Sequence, residues 1–216
     1  TALCCTIPFL FTSSYNSSRS VLYEGFNLYF GMTSSLKNVK WLDVQALANA
    51  LLKPNQQLEA VKYFTARVSN NPPKEQRQSS YLGAIKSSGV KIIYGHYKSK
   101  PKKCNSCGHS WNKNEEKMTD VNIAVNMMVD AMHDNFDVAL LVSGDSDLVP
   151  PIRAIHDNFQ NKKVVVAFPP NRHNNSVKNV AKGSFIIGKT KLTKNQFPDE
   201  IKTSSGYIIH KPNEWD

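Results

Sequence analysis

The chain has 216 residues, 40% of them hydrophobic and 20% charged, which excludes a largely disordered protein and predicts one sizeable α/β core. Its 27 Lys and Arg against 17 Asp and Glu give a formal charge of +10, which favours an anionic partner such as nucleic acid. Four cysteines are too few for a disulfide framework, and no stretch approaches the roughly 20 apolar residues of a membrane span. We therefore expect a protein of a reducing, cytoplasmic compartment that has no membrane partner.

Residues 1–18 are expected to be an extension of unknown role that precedes a single domain over residues 19–216. The segment "ALCCTIPFLF" has the apolar character of a signal-peptide core, but no basic residue precedes it, which disfavours a secretory signal. The polar segment "TSSYNSSRS" that follows is typical of a linker.

Strands and helices alternate along the rest of the chain. Strands are predicted at "SVLYEG" (20–25), "LEAVKYFTARV" (58–68), "VKIIYGHYK" (90–98), "DVALLV" (137–142) and "KKVVVAF" (162–168). A turn is expected after the first strand, and helices are predicted at 41–52, 77–89, 119–133 and 148–158, with a short helix and strand within 176–188. This alternation predicts an α/β fold with a mostly parallel sheet covered by helices on both faces. The apolar runs at 137–142 and 162–168 fit strands buried on both sides.

Acidic residues collect at the predicted ends of two strands. Glu24 ends the first strand, and Asp145 and Asp147 follow the strand "DVALLV". Because ligands of open parallel sheets bind outside the carboxyl ends of the strands, these three acids can meet at one edge. The stretch from Thr119 to Ile152 contains no Lys or Arg, but it contains six aspartates: Asp120, Asp130, Asp134, Asp137, Asp145 and Asp147.

Some of these acids have an ordinary structural role as the alternative. The helix dipole favours Asp120 in the first turn of its helix, and Asp147 is a candidate cap for the next helix. Asp130 lies on a helix that is apolar nearly all round, with no Lys or Arg nearby in sequence, so it requires either a pairing partner or a metal. Asn126 lies one turn earlier on the same side.

A cluster of carboxylates predicts a hard divalent cation. Carboxylate oxygens suit Mg²⁺ or Mn²⁺, and such an ion lowers the pKa of a bound water and offsets charge that develops on phosphate oxygens. Without a cation, the carboxylates would repel one another and would also repel a substrate phosphate.

Three sequence motifs resemble those of a known protein family. "YEGFNLYFG" (23–31), "EKMTDVNIAVNMMVDA" (116–131) and "FDVALLVSGDSDLVPPI" (136–152) closely resemble the NYN domain family, the LabA-like group of PIN-like nucleases. The resemblance extends over residues 20–201. It implies a PIN-like three-layer α/β/α fold and a Mg²⁺- or Mn²⁺-dependent endoribonuclease (a hydrolase) that acts on RNA.

The resemblance also implies which residues form the site. By position, the catalytic and metal-binding acids are Glu24, Asp120, Asp145 and Asp147, with Asn27 and Ser143 as polar supports. The family usually has Asp where this chain has Glu24, and the extra methylene shifts the carboxylate by about one bond length. Some members carry an acid where this chain has Asn126, and Asp130 is the candidate replacement from the next turn.

Two other functions stay open at this point. A catalytically impaired RNA-binding or regulatory protein is the main alternative, because the Glu24 departure falls on a metal ligand. A phosphatase or nucleotidyl-transfer enzyme is a weaker interpretation of "GDSD", since the "DxDxT" context is absent.

Cysteines and basic residues mark a segment predicted as a loop at 98–115. "KCNSCGHSW" places Cys104, Cys107 and His109 at a spacing typical of zinc ligands, and His96 is the candidate fourth ligand if the preceding strand turns back. The alternative to a structural Zn²⁺ is a pair of free thiols.

Two basic sets are candidate RNA contacts, for single-stranded or structured RNA. Lys102 and Lys103 lie among the aromatic residues Tyr94, Tyr97 and Trp111, which are candidate stacking partners. The second set follows strand ends near the carboxylates and comprises Arg153, Arg172 and Lys178, with His173 and Lys182 beside them. A homodimer is a further candidate assembly.

Overall fold

The structure is a computed structural model that describes residues 17–215, except the side chains at 97–99 and 112–116. Its strands are β1 (Ser17–Glu24), β2 (Gln56–Thr65), β3 (Lys91–Tyr94), β4 (His96–Lys103), β5 (Ser110–Lys117), β6 (Val138–Val142), β7 (Lys163–Phe168), β8 (Gly183–Ile186), β9 (Glu200–Lys202) and β10 (Ile208–His210). Six of them form a parallel sheet in the order β3-β2-β1-β6-β7-β8. The predicted α/β class with a parallel central sheet is confirmed.

Helices cover the sheet on both faces. They are α1 (Gly25–Thr33), α2 (Val44–Leu51), α3 (Pro72–Ser87), α4 (Thr119–Met132), α5 (Val149–Asn158), α6 (Asn175–Val180) and α7 (Lys189–Lys194), with short 3₁₀ turns at Ser146–Leu148 and Asn213–Trp215. Helix α3 begins five residues before its predicted start, at Pro72, because the Asn71 side chain caps it by accepting from the backbone N–H of Lys74 at 3.2 Å.

The hydrophobic core has two halves, one on each face of the sheet. Strand β6 is buried along its whole length, with Leu140 and Val142 in one half and Ala139 and Leu141 in the other. Helices α1, α2 and α3 supply the first half, and α4, α5 and α6 supply the second. Each buried Leu or Val contributes about 1.5–3 kcal/mol relative to exposure, so the alternation of side chains along β6 stabilises both interfaces.

Two segments near the carboxylates differ from the prediction, and α7, β9 and β10 lie beyond the predicted elements. The turn expected after β1 is helix α1, which begins against β2 because Gly25 has no side chain: a Cβ there would lie 2.8 Å from the Phe64 carbonyl oxygen. The loop expected at 98–115 is an antiparallel hairpin of β4 and β5. The predicted strand at 90–98 is therefore two strands, separated at Gly95, where a Cβ would lie 2.6 Å from the Lys117 carbonyl oxygen.

The predicted extension lies almost entirely outside the described residues. Only Ser17 and Ser18 of it are described, and both already belong to β1, where they pair with Gln56 and Gln57. Among the helices of residues 17–215, we find none with the length and apolar content that spanning a membrane requires.

Candidate metal and catalytic centre

Three carboxylates meet at the carboxyl edge of the sheet. Glu24, Asp120 and Asp145 each offer an oxygen, and the three oxygens lie within 4.8 Å of one another. Glu24 is buried, with 7% of its surface exposed, and the two aspartates are half-buried. Among the side chains that the structure describes, this is the one group of three or more acidic, His or Cys residues with such geometry.

The fold explains why these three residues meet. Glu24 ends β1 and Asp145 follows β6, and these two strands are parallel neighbours, so their ends lie side by side. Asp120 arrives from a third segment, in the first turn of α4. The residue before α4, Met118, has a φ of +76°, a left-handed conformation that side chains seldom adopt, and it makes the abrupt change of direction from β5 into α4.

The charges of the group act on Asp120. Burial raises the pKa of the Asp120 carboxyl above its ordinary value, and the negative charges of Asp145 and Asp147 raise the pKa further. All three ligand atoms of the group are carboxylate oxygens, the donor type of hard divalent cations such as Mg²⁺ and Mn²⁺. A bound cation would remove the repulsion that raises this pKa.

Ser143 and Asn27 hold the acidic residues in place. The buried Ser143 hydroxyl donates a short hydrogen bond to Glu24 Oε2 and accepts one from the Asp145 backbone N–H at 2.8 Å. Asn27 Oδ1 accepts from the backbone N–H of Gly144 at 3.1 Å. The two residues that the motif marked as polar supports therefore lie in direct contact with the acids or with the loop that carries them.

Gly144 joins this loop to the segment that follows β7. A Cβ at Gly144 would lie 1.8 Å from the Arg172 carbonyl oxygen, so only glycine fits. The Asn174 side chain donates to the Gly144 carbonyl at 3.0 Å. This packing brings Arg172 beside the acidic loop, and the sequence carried no signal for the contact except the glycine itself.

Asp147 lies near the group without belonging to it. Its side chain is exposed, and it is absent from the set of ligand atoms within 4.8 Å. Its backbone N–H donates to Asp145 Oδ1 at 3.0 Å, so Asp145 caps the 3₁₀ turn here. Helix α5 begins after Leu148 without a side-chain cap, and the capping role considered for Asp147 is wrong.

Asp130 has a pairing partner that the sequence did not reveal. Lys62 Nζ lies 2.6 Å from Asp130 Oδ2 and 3.2 Å from Asn126 Oδ1, and both charged residues are buried. Asn135 also donates to Asp130, at 3.3 Å. Lys62 lies on β2, 68 residues before Asp130, so the sequence around Asp130 could not predict this pair. Asp130 thus forms a salt bridge with Lys62, and Asn126 accepts a hydrogen bond from the same ammonium. Neither residue belongs to the carboxylate group.

Cys104 and Cys107 lie at the tip of the β4–β5 hairpin. The backbone N–H groups of Cys107 and Ser106 lower the pKa of the Cys104 thiol by hydrogen bonding to its sulfur. His96 lies at the base of the hairpin, opposite Lys117, and at about 3.3 Å per residue β4 separates it from Cys104 by about 26 Å. His96 as a zinc ligand is therefore wrong, and a site at Cys104, Cys107 and His109 stays a prediction.

The predicted RNA contacts occupy several surfaces. Lys102 and Lys103 are exposed on β4, opposite Trp111 and Ser110. The exposed side chains of Arg153 on α5 and Lys178 on α6 lie on the face of the sheet that α4 covers. Of the two basic sets, Arg172 is the residue that the structure fixes against the acidic loop. His173 packs its ring against Phe168, with 4.8 Å between centroids.

Comparison with known proteins decides the family. The sequence profile of the NYN domain matches residues 19–189. The chain belongs to the NYN domain family. Membership implies a PIN-like nuclease fold, and the carboxylate group at the ends of β1 and β6 is able to hold a divalent metal.

Two individual proteins are similar to this NYN chain. The 6-hydroxy-3-succinoylpyridine 3-monooxygenase HspA of Pseudomonas putida is 25% identical over an alignment of 196 positions, covering 73% of this chain and 62% of that enzyme. This chain thus spans less than two thirds of the relative's length. The crystal structure of a protein of unknown function from Vibrio parahaemolyticus superposes with a TM-score of 0.54 at 20% identity, covering 82% of this chain and 96% of that one, which shows the same fold.

Proposed function

We propose that the protein is a metal-dependent endoribonuclease that hydrolyses RNA phosphodiester bonds with Mg²⁺ or Mn²⁺ held by Glu24, Asp120 and Asp145. The observation that carries this proposal is the meeting of three carboxylate oxygens within 4.8 Å, in a chain of the NYN family. Burial raises the pKa of Asp120, and the negative charges of Asp145 and Asp147 raise it further; a bound cation would offset that repulsion, which supports the proposal.

The residues of the site have distinct tasks in this proposal. Glu24 is held by the Ser143 hydroxyl and presents its carboxylate at a fixed position, and Asp145 is held by its own backbone N–H on the same hydroxyl. The chemistry that a divalent ion supplies when bound is a coordinated water of lowered pKa and positive charge beside the phosphate oxygens. Arg172, fixed beside the acidic loop, contacts the phosphate next to the cleaved bond.

The test is cleavage of an end-labelled single-stranded RNA with Mn²⁺, Mg²⁺ or EDTA. We expect cleavage with either metal, none with EDTA, and a loss of about 100-fold or more in Asp145→Asn, since even residues behind a metal ligand contribute 10- to 100-fold. Asp157→Asn, which changes an exposed acid of α5, is the matched control and should cleave normally. Full activity in Asp145→Asn would refute the site.

A catalytically impaired RNA-binding protein is the second candidate, and Glu24 favours it. The family usually has Asp at this position, and the longer side chain changes the distance between the backbone and the metal. The second candidate predicts RNA binding without turnover under any metal, and a gain of cleavage in Glu24→Asp. If the wild type cleaves and Glu24→Asp slows it, the second candidate is refuted.

The named activity of the Pseudomonas relative provides a further comparison. Oxidation of a pyridine ring is a different reaction class, and the 25% identity to that enzyme is the observation that raises it here. Incubation of the same preparation with 6-hydroxy-3-succinoylpyridine, oxygen and an electron donor separates the two. Metal-dependent RNA cleavage without consumption of the pyridine supports the nuclease, and the opposite result refutes it.

A further inference from the structure

Helix α1 carries exposed aromatic rings beside the carboxylates. It begins at the residue after Glu24, and its side chains Tyr29 and Phe30 are 36% and 51% exposed. Their ring centroids lie 5.4 Å apart in an edge-to-face arrangement, and the Phe26 ring lies 6.4 Å from Phe30. A contiguous apolar patch in water, next to a polar site, is typical of a binding surface.

A groove of about 760 Å³ borders this aromatic face. Its walls include Phe26, Tyr29 and Phe30 from α1, together with Tyr63 and Thr65 from the carboxyl half of β2. The volume falls within the range of pockets that hold organic ligands. β1 and β2 end side by side, and Thr65 at the end of β2 lines the groove. The groove therefore opens at the same edge of the sheet as the carboxylate group.

The charge of the groove favours an anion. Its described lining includes Lys40, Lys74 and Arg77, and Glu214 is the single acid among the described lining residues. Glu214 pairs with Arg77 at 2.9 Å, which leaves the charges of Lys40 and Lys74 to set the sign of the groove. An apolar peptide would leave these lysines without a counterion, whereas a nucleic acid presents both rings and phosphates.

A further cation, Arg172, contacts the aromatic face and does not line the groove. The Arg172 guanidinium lies 6.0 Å from the centroid of the Phe30 ring, and the Arg172 backbone packs against Gly144 of the acidic loop. Phe30 thus lies between the groove and the cation beside the carboxylates. Arg172 thus links the aromatic face to the loop that carries Asp145.

We propose that α1 and the adjoining groove bind the unpaired bases of single-stranded RNA next to the bond that is cleaved. Bases stack on Phe30 and Tyr29, and phosphates contact Lys40, Lys74 and Arg172. Duplex bases are already stacked on one another and cannot offer a ring face to Phe30, so the surface selects single strands. The location rests on the proposed nuclease function, but base stacking itself needs no metal.

The experiment measures binding in a background that does not cleave. Fluorescence anisotropy of a labelled single-stranded RNA is recorded with Asp145→Asn alone and in combination with Phe30→Ala or Phe30→Leu. Both Phe30 substitutions should weaken binding about fivefold or more, which is the low end for loss of one stacked base. Phe30→Leu should not preserve binding, because leucine is apolar but has no ring face on which a base can stack. Phe185→Ala is the matched control: Phe185 is an aromatic residue, 37% exposed, on β8, an outer strand that β1, β6 and β7 separate from the groove-lining β2.

The outcomes separate this inference from the proposed function. Loss of single-strand binding in both Phe30 variants, with Phe185→Ala and binding of a duplex of the same sequence unchanged, supports the groove. Unchanged binding in the Phe30 variants, or an equal loss for duplex and single strand, overturns it. If the Phe30 variants lose binding while the wild type never cleaves, the groove stands and the nuclease proposal falls. If the wild type cleaves while the Phe30 variants bind normally, the nuclease stands and the groove falls.

Discussion

Helix α4 carries two acids whose surroundings are opposite. Asp130, near its end, is buried and has the Lys62 ammonium at 2.6 Å and the Asn135 amide at 3.3 Å. Asp120, in its first turn, is half-buried and faces two other carboxylates, those of Glu24 and Asp145. The fold supplies the cation for one acid, while the other lies among like charges.

This difference distinguishes an acid that stabilises the fold, Asp130, from an acid that is placed to bind a metal, Asp120. An acid paired with a lysine needs nothing further, and removing the lysine harms folding. An acid gathered with other acids raises the free energy of the metal-free protein, and such an arrangement becomes favourable when an external cation is bound. The following predictions separate the two ends of α4.

The largest expected effect is on stability, at the Lys62–Asp130 pair. Lys62→Met leaves a buried carboxylate without its counter-charge, and we expect a loss of about 3–5 kcal/mol in the free energy of unfolding at neutral pH. Urea denaturation measures it. The double variant Lys62→Met/Asp130→Leu should recover most of the loss, and a single variant as stable as the wild type would show that the pair contributes nothing.

The next effect is on catalysis, at Asp120. We expect Asp120→Asn to lower the metal-dependent cleavage rate about 100-fold or more, because it removes a ligand. Asp130→Asn is the matched substitution on the same helix, and its rate per folded molecule should stay within about a few-fold of the wild type. Equal losses in the two variants would contradict the distinction drawn between them.

A smaller effect concerns the pH dependence of stability in the metal-free protein. Because the pKa of Asp120 is higher in the folded than in the unfolded protein, the folded state loses stability as pH rises through these two values. Asp120→Asn should therefore stabilise the metal-free protein at pH 7, by less than about 1 kcal/mol because solvent screens a half-exposed group. The gain should vanish below the ordinary aspartate pKa, and a gain that persists there would have another cause. Thermal melting in EDTA at several pH values provides the measurement.

The smallest effect on cleavage is expected at the hairpin tip. If Cys104 and Cys107 hold Zn²⁺ with His109, the dialysed wild type should retain zinc and the Cys104→Ser variant should not. Cleavage of a short RNA by this variant should change little, because the hairpin tip lies about 26 Å from the hairpin base. Metal analysis of both proteins decides between this site and a pair of free thiols. Absence of zinc from the wild type supports the thiols.

The sequence predicted the meeting of the carboxylates better than it predicted the residues around them. Glu24 and Asp145 were placed together correctly because parallel strands end at one edge, a rule that needs only the strand assignments. The pairing of Asp130 was beyond sequence reasoning, since Lys62 lies 68 residues away and no local pattern connects them. Asp147 was predicted as a ligand from its place after the strand and from the resemblance to the family, and the 3₁₀ turn leaves its side chain outside the group.

Two of the missed features, helix α1 and the β4–β5 hairpin, have local causes. Helix α1, "GFNLYFGMT", is rich in glycine and aromatic residues, which are weak helix formers, and tertiary contacts at Gly25 and Gly31 decide its position. The β4–β5 hairpin has polar and charged residues on both faces, so it lacks the alternation that marks a half-buried strand. Both features begin at the edge of the sheet that carries the carboxylates. The sequence pattern was least informative about secondary structure at this edge.

The most direct test of the central claim is a calorimetric titration of the metal-free protein with Mn²⁺. Wild type, Asp120→Asn and Asp130→Asn are compared under the same conditions, with folding checked by circular dichroism. The account predicts that the wild type and Asp130→Asn bind Mn²⁺ alike and that Asp120→Asn loses the binding. Equal binding by Asp120→Asn and the wild type would contradict it, because the carboxylate group would then not be the metal site.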